Sequence, residues 1–157
     1  MQHHSEIIDW ATDSLTARGC LILHEPEIVV ETPWSTVIRF ITQAGNIYLK
    51  QTPPALFLEP KIIQLLAEKL DPSVPVVIAS NHELHCFLMK DAGLSLRGYL
   101  KTEFRSDLLS QAVQQYTTIQ RSAESHINSF FLELGVPDWR LNKLPPFYQQ
   151  IINQIIV

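Results

Sequence analysis

Between Glu27 and Lys50 the chain passes through three short β-branched stretches, with too few residues between them for anything but tight turns. Glu27-Ile-Val-Val-Glu31 comes first and is broken by Thr32-Pro33. Thr36-Val-Ile-Arg-Phe-Ile-Thr42 resumes, Gln43-Ala-Gly-Asn46 turns the chain, and Ile47-Tyr-Leu-Lys50 returns. Parallel neighbours need a crossover of a dozen or more residues, so strands this close pair antiparallel, as a meander. Residues 54–70 then read as a helix, with Ile62, Ile63, Leu66 and Leu70 on one face. Val74–Ala79 and Leu84–Met89 form a hairpin around Ser80-Asn-His-Glu83. A meander, a helix and a hairpin predict an α+β layer: an antiparallel sheet with one helix packed on it.

The flanks read as helical. Ser5 is a candidate N-cap for a helix carrying Ile7, Ile8, Ala11 and Leu15, and Gly19 supplies its stop. After Gly93, Leu108, Leu109, Ala112, Val113, Tyr116, Ile119, Ala123, Ile127, Phe130, Phe131 and Leu134 follow a helical period. Ser106 is placed to cap this run and Gly135 to end it. Unbroken, it would be about 42 Å long at ~1.5 Å per residue, so a break near Ser122–Ser125 is expected. Asp138 and Arg140, in Gly135-Val-Pro-Asp-Trp-Arg140, are expected to pair or cap locally. Ile151, Ile152, Ile155, Ile156 and Val157 form an apolar pattern with no helix-stop signal, which reads as truncation. That surface is expected to favour a homodimer.

Composition narrows the functional classes. Hydrophobic residues at 46% and charged residues at 18% describe an ordinary globular chain. A net charge of -4, with no basic stripe, argues against nucleic-acid binding. Cys20 and Cys86 are far apart and have no metal spacing, so free thiols in a reducing compartment are expected. No signal peptide or membrane span is apparent, which makes a cytoplasmic location the simplest expectation and a membrane partner an unlikely one. His3-His4 sits on a terminus where side chains are usually solvated. Asn81-His-Glu-Leu-His85 lies in a strand–turn–strand context with its histidines three apart, so it reads as a polar hairpin tip.

Four groups of residues carry chemistry. Lys50 ends an apolar strand and shares a face with Tyr48, while Leu49 faces the other way. It is either an edge lysine in water or a cation under a covered sheet face. Glu59 precedes Ile62 and Ile63 by three and four positions, which aims it at the apolar side of its helix. A lone carboxylate is costly there and a lysine on the adjacent strand is its natural partner. Pro60 leaves open that Glu59 is an N-cap. In Thr32-Pro-Trp-Ser35, Trp34 and Ser35 either pack a turn or cover and contact an anion. Cys86-Phe-Leu-Met-Lys-Asp-Ala-Gly93 is an apolar strand stopping at charged residues, with Gly93 permitting a sharp turn.

This order, strand lysine, helix glutamate and apolar strand end, resembles the small lobe of the kinase-like phosphotransferases. The aminoglycoside phosphotransferase and choline kinase family is the nearest in pattern. The resemblance covers roughly residues 26–100. It implies an N-terminal helix (1–25), a nucleotide-binding lobe (26–92), and a hinge with the helical start of a large lobe (93–157). It also implies transfer of the γ-phosphate of ATP or GTP to a hydroxyl of a small molecule. Lys50 would hold phosphates, Glu59 would steer Lys50, and Ser35 and its backbone would donate to phosphate beneath Trp34. Met89 would sit behind the adenine, the Lys90 carbonyl would accept from its amino group, and the Ala92 amide would donate. Mg2+ is implied with its ligands elsewhere, since no catalytic-loop or metal-aspartate motif occurs in these residues. The rival expectation is a non-catalytic nucleotide-binding or interaction module.

Overall fold

The computed structural model describes residues 2–70, 74–127, 132 and 134–155. Phe130, Phe131, Ile156 and Val157, assigned above to apolar helical faces, lie outside them. Helix α1 spans Gln2–Thr16, and strands β1, β2 and β3 span Glu27–Thr32, Ser35–Thr42 and Gly45–Gln51. A 3-10 turn at Pro54–Leu56 leads into α2, Glu59–Leu70. Strands β4 (Val77–Asn81) and β5 (Cys86–Lys90) follow, then α3 (Leu96–Thr102), α4 (Ser106–Glu124) and α5 (Leu144–Ile155). The strands make one five-stranded sheet in the order β1-β2-β3-β5-β4, antiparallel throughout. The α+β class and the antiparallel sheet are as the sequence predicts, and the meander and hairpin merge where β3 meets β5.

Each hairpin is closed by the side chain that ends its first strand. Thr32 Oγ1 accepts from the Trp34 and Ser35 N–H groups at 3.3 and 3.0 Å and donates to the Ser35 carbonyl at 3.1 Å. Thr42 repeats the device, accepting from the Ala44 N–H at 3.2 Å and donating to the Gly45 carbonyl at 2.7 Å. Asn81 Oδ1 accepts from the Glu83 and Leu84 N–H groups at 2.9 and 3.1 Å. Short polar side chains satisfy turn amides in this way, so these residue types punctuate strands.

The dry core lies between α1 and one sheet face. Alternation sends Ile38 and Phe40, Ile47 and Leu49, and Cys86 and Leu88 to that face, where Ile7, Ala11 and Leu15 pack on them. Helix α1 ends in a Schellman arrangement: the Cys20 N–H donates to the Leu15 carbonyl at 3.0 Å and the Gly19 N–H to Thr16 at 2.9 Å. Gly19 adopts the required left-handed conformation, with φ +71°. Ser5 is not the N-cap, because α1 already begins at Gln2. Nothing in Gln2-His-His breaks the helix, so it runs on past Ser5.

The helix at 54–70 is a 3-10 turn and then α2, and α2 buries only Pro60 fully. Ile62, Ile63, Leu66 and Leu70 remain half-buried, so the tight helix–sheet packing belongs to α1. Helix α4 ends at Glu124, where the break was expected, and the Ser125 hydroxyl donates to the Ser122 carbonyl at 3.2 Å. Ser106 is its first helical residue rather than its cap; Arg105 precedes it and grips Asp107 at 2.9 and 2.6 Å. Ser95 does cap α3, accepting from the Gly98 N–H at 3.0 Å. Asp138 and Arg140 pair locally as expected, at 2.7 and 2.6 Å.

Among the described residues no helix is long and apolar enough to cross a membrane. Both cysteines are free thiols, and burial pushes the Cys86 thiol up to about 12, which makes it inert at neutral pH.

The core assignment has a mechanical consequence. Leu15→Ala, which empties a fully buried site on α1, is expected to cost about 2–5 kcal/mol in urea unfolding. Val113→Ala, at a position 58% exposed on α4, is expected to stay within about 0.5 kcal/mol of the unmodified chain.

Candidate functional site

Strand alternation that buries Leu49 sends Lys50 to the opposite sheet face. Cross-strand register places Val37 and Phe87 beside Lys50, and Arg39 and Met89 beside Tyr48. Phe87 is fully buried, whereas Val37, Tyr48 and Met89 are half-buried. The face therefore offers apolar side chains around a cation without sealing them from solvent.

Lys50 and Glu59 form the expected ion pair, with Nζ 2.7 Å from Oε1 and 2.6 Å from Oε2. Glu59 is the first residue of α2 and Pro60 the second, and the Ile62 N–H donates to the Leu58 carbonyl at 3.0 Å. Proline is tolerated in a first turn because its missing N–H has no intrahelical partner there. Glu59 is thus inside the helix rather than its cap. Its charge also suits the positive end of the helix dipole. Glu68, further along α2, is exposed.

A second ion pair sits on the same face. Arg39 pairs with Glu27 on β1, and that hydrogen bond raises the guanidinium above its ordinary range. Arg39 and Lys50 are diagonal neighbours across β2 and β3, a spacing of about 7–8 Å in an antiparallel sheet. Sequence reasoning passed over Arg39. Its signal was a lone arginine inside Val37-Ile-Arg-Phe-Ile41, at a spacing that shares a face with Val37.

The β1–β2 turn departs from expectation in one respect. Its Trp34 and Ser35 N–H groups are already taken by Thr32 Oγ1, so they are not free donors for an anion. Ser35 Oγ is buried with no hydrogen-bond partner among the described residues, and Trp34 is 68% exposed at the tip. Ser35 lines a cleft of ≈570 Å³ together with Thr32, Gln51, Thr52, His85, Glu6 and Glu83. Lys50 and Glu59 do not line it, and its charged walls are carboxylates. A phosphate would be repelled there, so this cleft and the cationic sheet face are separate features.

At the β5 end, the Lys90 N–H donates to the Val76 carbonyl at 2.9 Å, and the Asp91 N–H to Asn46 at 3.2 Å. Asp91 then fixes the turn, accepting from the Gly93 N–H at 2.8 Å and from Asn46 Nδ2 at 3.2 Å. Lys90 and Ala92 are exposed. Met89 lies on the Lys50 face of the sheet, while Lys90 alternates to the other. Among the described residues no group of three or more His, Cys, Asp or Glu could hold a metal ion.

Energetics separate structure from function at the pair. Lys50 and Glu59 side chains are 23% and 35% exposed, and pairs this open contribute about 0–1 kcal/mol. Glu59→Gln is therefore expected to change unfolding free energy by less than about 1 kcal/mol. A much larger loss in urea titration would make the pair a structural element of the fold.

No protein-family model matches the chain, and no curated protein matches it.

Proposed function

We propose that this sheet is the nucleotide-binding lobe of a phosphotransferase that moves the γ-phosphate of ATP or GTP to a hydroxyl of a small molecule. The observation that carries the reading is the Lys50–Glu59 pair, formed by a strand and a helix nine residues apart in sequence. The kinase-like resemblance asks for that pair between those elements. The strand order and the half-open apolar face beside Lys50 support it further.

In this reading Lys50 neutralises phosphate oxygens, and Glu59 holds the ammonium where phosphate arrives. Val37, Tyr48 and Met89 supply an apolar platform for the base. The Lys90 carbonyl and Ala92 amide, at the exposed strand end, recognise its edge. Trp34 covers the phosphate side; the turn's backbone amides are engaged and Ser35 lines the carboxylate-walled cleft, so neither contacts phosphate in this reading. Charge stabilisation and positioning make up nearly all of such catalysis. The reaction in this reading also needs a hydroxyl acceptor, a general base and Mg2+, and among the described residues no group of three or more His, Cys, Asp or Glu could hold that ion. The proposed setting is cytoplasmic.

Calorimetric titration with MgATP and MgGTP tests this directly. Lys50→Met is expected to weaken binding about 10- to 100-fold, the value of a charged hydrogen bond of ~1.5–3 kcal/mol. Glu59→Gln should weaken it less. Equal affinity of Lys50→Met and the unmodified chain would remove the phosphate role.

A second reading has its own observation. Val113 and Tyr116 on α4 and Tyr148 and Ile151 on α5 are 58%, 63%, 67% and 54% exposed, which suits a non-catalytic module that docks or dimerises through its helices. Sedimentation velocity separates the two readings. The module predicts a dimer that Tyr148→Lys with Ile151→Lys dissociates; a monomer unchanged by that double substitution counts against it.

A further inference from the structure

The Lys50–Glu59 pair is too open to solvent to hold the start of α2 in place by itself. The residues that hold it lie in the connection from β3. Between Gln51 and Leu58 that segment carries no charge, yet Thr52 and Phe57 are only 6% and 5% exposed, and Pro60 just beyond is fully buried. Glu59 stands between two of these anchors.

What seats the connection is the tip of the β4–β5 hairpin. The Phe57 ring meets His82 edge-on, with centroids 5.2 Å apart and planes at 89°. It meets His85 the same way at 5.6 Å and 87°. The Thr52 N–H donates to the His85 carbonyl at 3.1 Å, and Gln51 Nε2 donates to the Leu84 carbonyl at 3.1 Å. The tip is itself held: Asn81 Oδ1 accepts from the Glu83 and Leu84 N–H groups, and His85 is kept in the left-handed region at φ 49°. A non-glycine residue rarely adopts that conformation unless its surroundings impose it.

We propose that Phe57, clasped by His82 and His85, is the positioning residue of the Lys50–Glu59 pair. The hairpin tip sets where α2 begins, and that decides whether Glu59 reaches Lys50. The geometric half of this stands on the fold alone; its consequence for nucleotide affinity rests on the proposed function. It also assigns a task to the two histidines, whose spacing and context suit neither metal binding nor catalysis.

The test reads the pair before any nucleotide is added. In the full chain with labelled lysines, Glu59→Gln shifts the Lys50 side-chain NMR signal, assigned by its loss in Lys50→Arg. Phe57→Leu is expected to move that signal in the same direction by at least about half as much. His82→Ala combined with His85→Asn should do likewise, because asparagine tolerates the left-handed backbone while removing the ring. If Phe57→Leu does not fold by circular dichroism, the histidine double variant decides alone. Neither substitution should move the signal further when Glu59→Gln is already present, whereas a general loosening of the fold would add to it. MgATP affinity should follow the same pattern, falling roughly 3- to 10-fold from Phe57→Leu in the unmodified background and staying level in the Glu59→Gln background. A Lys50 signal unmoved by folded variants overturns the positioning role. A signal that moves as expected, in a chain that binds no MgATP, keeps the positioning role and discards the nucleotide reading.

Discussion

Leu49 and Lys50 are consecutive residues of β3, and the pleat sends them to opposite faces of the sheet. Leu49 enters the core shared with α1, fully buried beside Ile38, Ile47 and Leu88. Lys50 emerges on the other face, next to Phe87 and within reach of α2. A slip of one residue in the β2–β3 register would exchange the two, burying a charge and exposing a leucine. The apolar core thus opposes any one-residue slip, which would take Leu49 off the face that buries Ile38 and Phe40. Thr42 and Gly45 close the β2–β3 turn and set the same register from its other end.

The two faces differ in how they are covered. On the α1 side the small Ala11 lets a helix lie close, and the layer is dry. On the α2 side Phe87 and Pro60 are fully buried, but the ionic pairs are partly wet. A partly open face limits the desolvation cost of the Lys50–Glu59 pair. The large cleft at the end of the sheet has carboxylate walls and two buried hydroxyls without partners, Ser35 Oγ and Thr52 Oγ1. Its chemistry is unlike that of the Lys50 face, even though β2 and β3 run through both.

Among the described residues beyond Gly93, α4 packs against α2, and the Ser95 cap, the Arg105–Asp107 fork and the Asp138–Arg140 pair add local interactions. Its apolar residues on α4 and α5 stay largely exposed. Local capping can define helices without a core, but surface of this kind is normally covered by something. The phosphotransferase reading covers it with a larger helical lobe, and the module reading with a partner.

Local spacing by itself determined the three turns, the strand that carries Lys50, the stop at Gly19 and the break after Glu124. Each depends on residues within a few positions of one another, where backbone geometry dictates which side chains share a face. The tertiary structure alone decided that α1 rather than α2 fills the core, because Ile7, Ala11 and Leu15 present much the same helical stripe as Ile62, Ile63 and Leu66. A stripe states that a face is apolar and not which sheet face it meets. The same holds for Thr32, whose hydroxyl takes the amides of Trp34 and Ser35, and for Arg39, whose partner lies on another strand. It holds most of all for Phe57 with His82 and His85, three residues separated by a helix and a strand. Contacts of that range arise when chain segments pack, and no periodicity along the sequence encodes them.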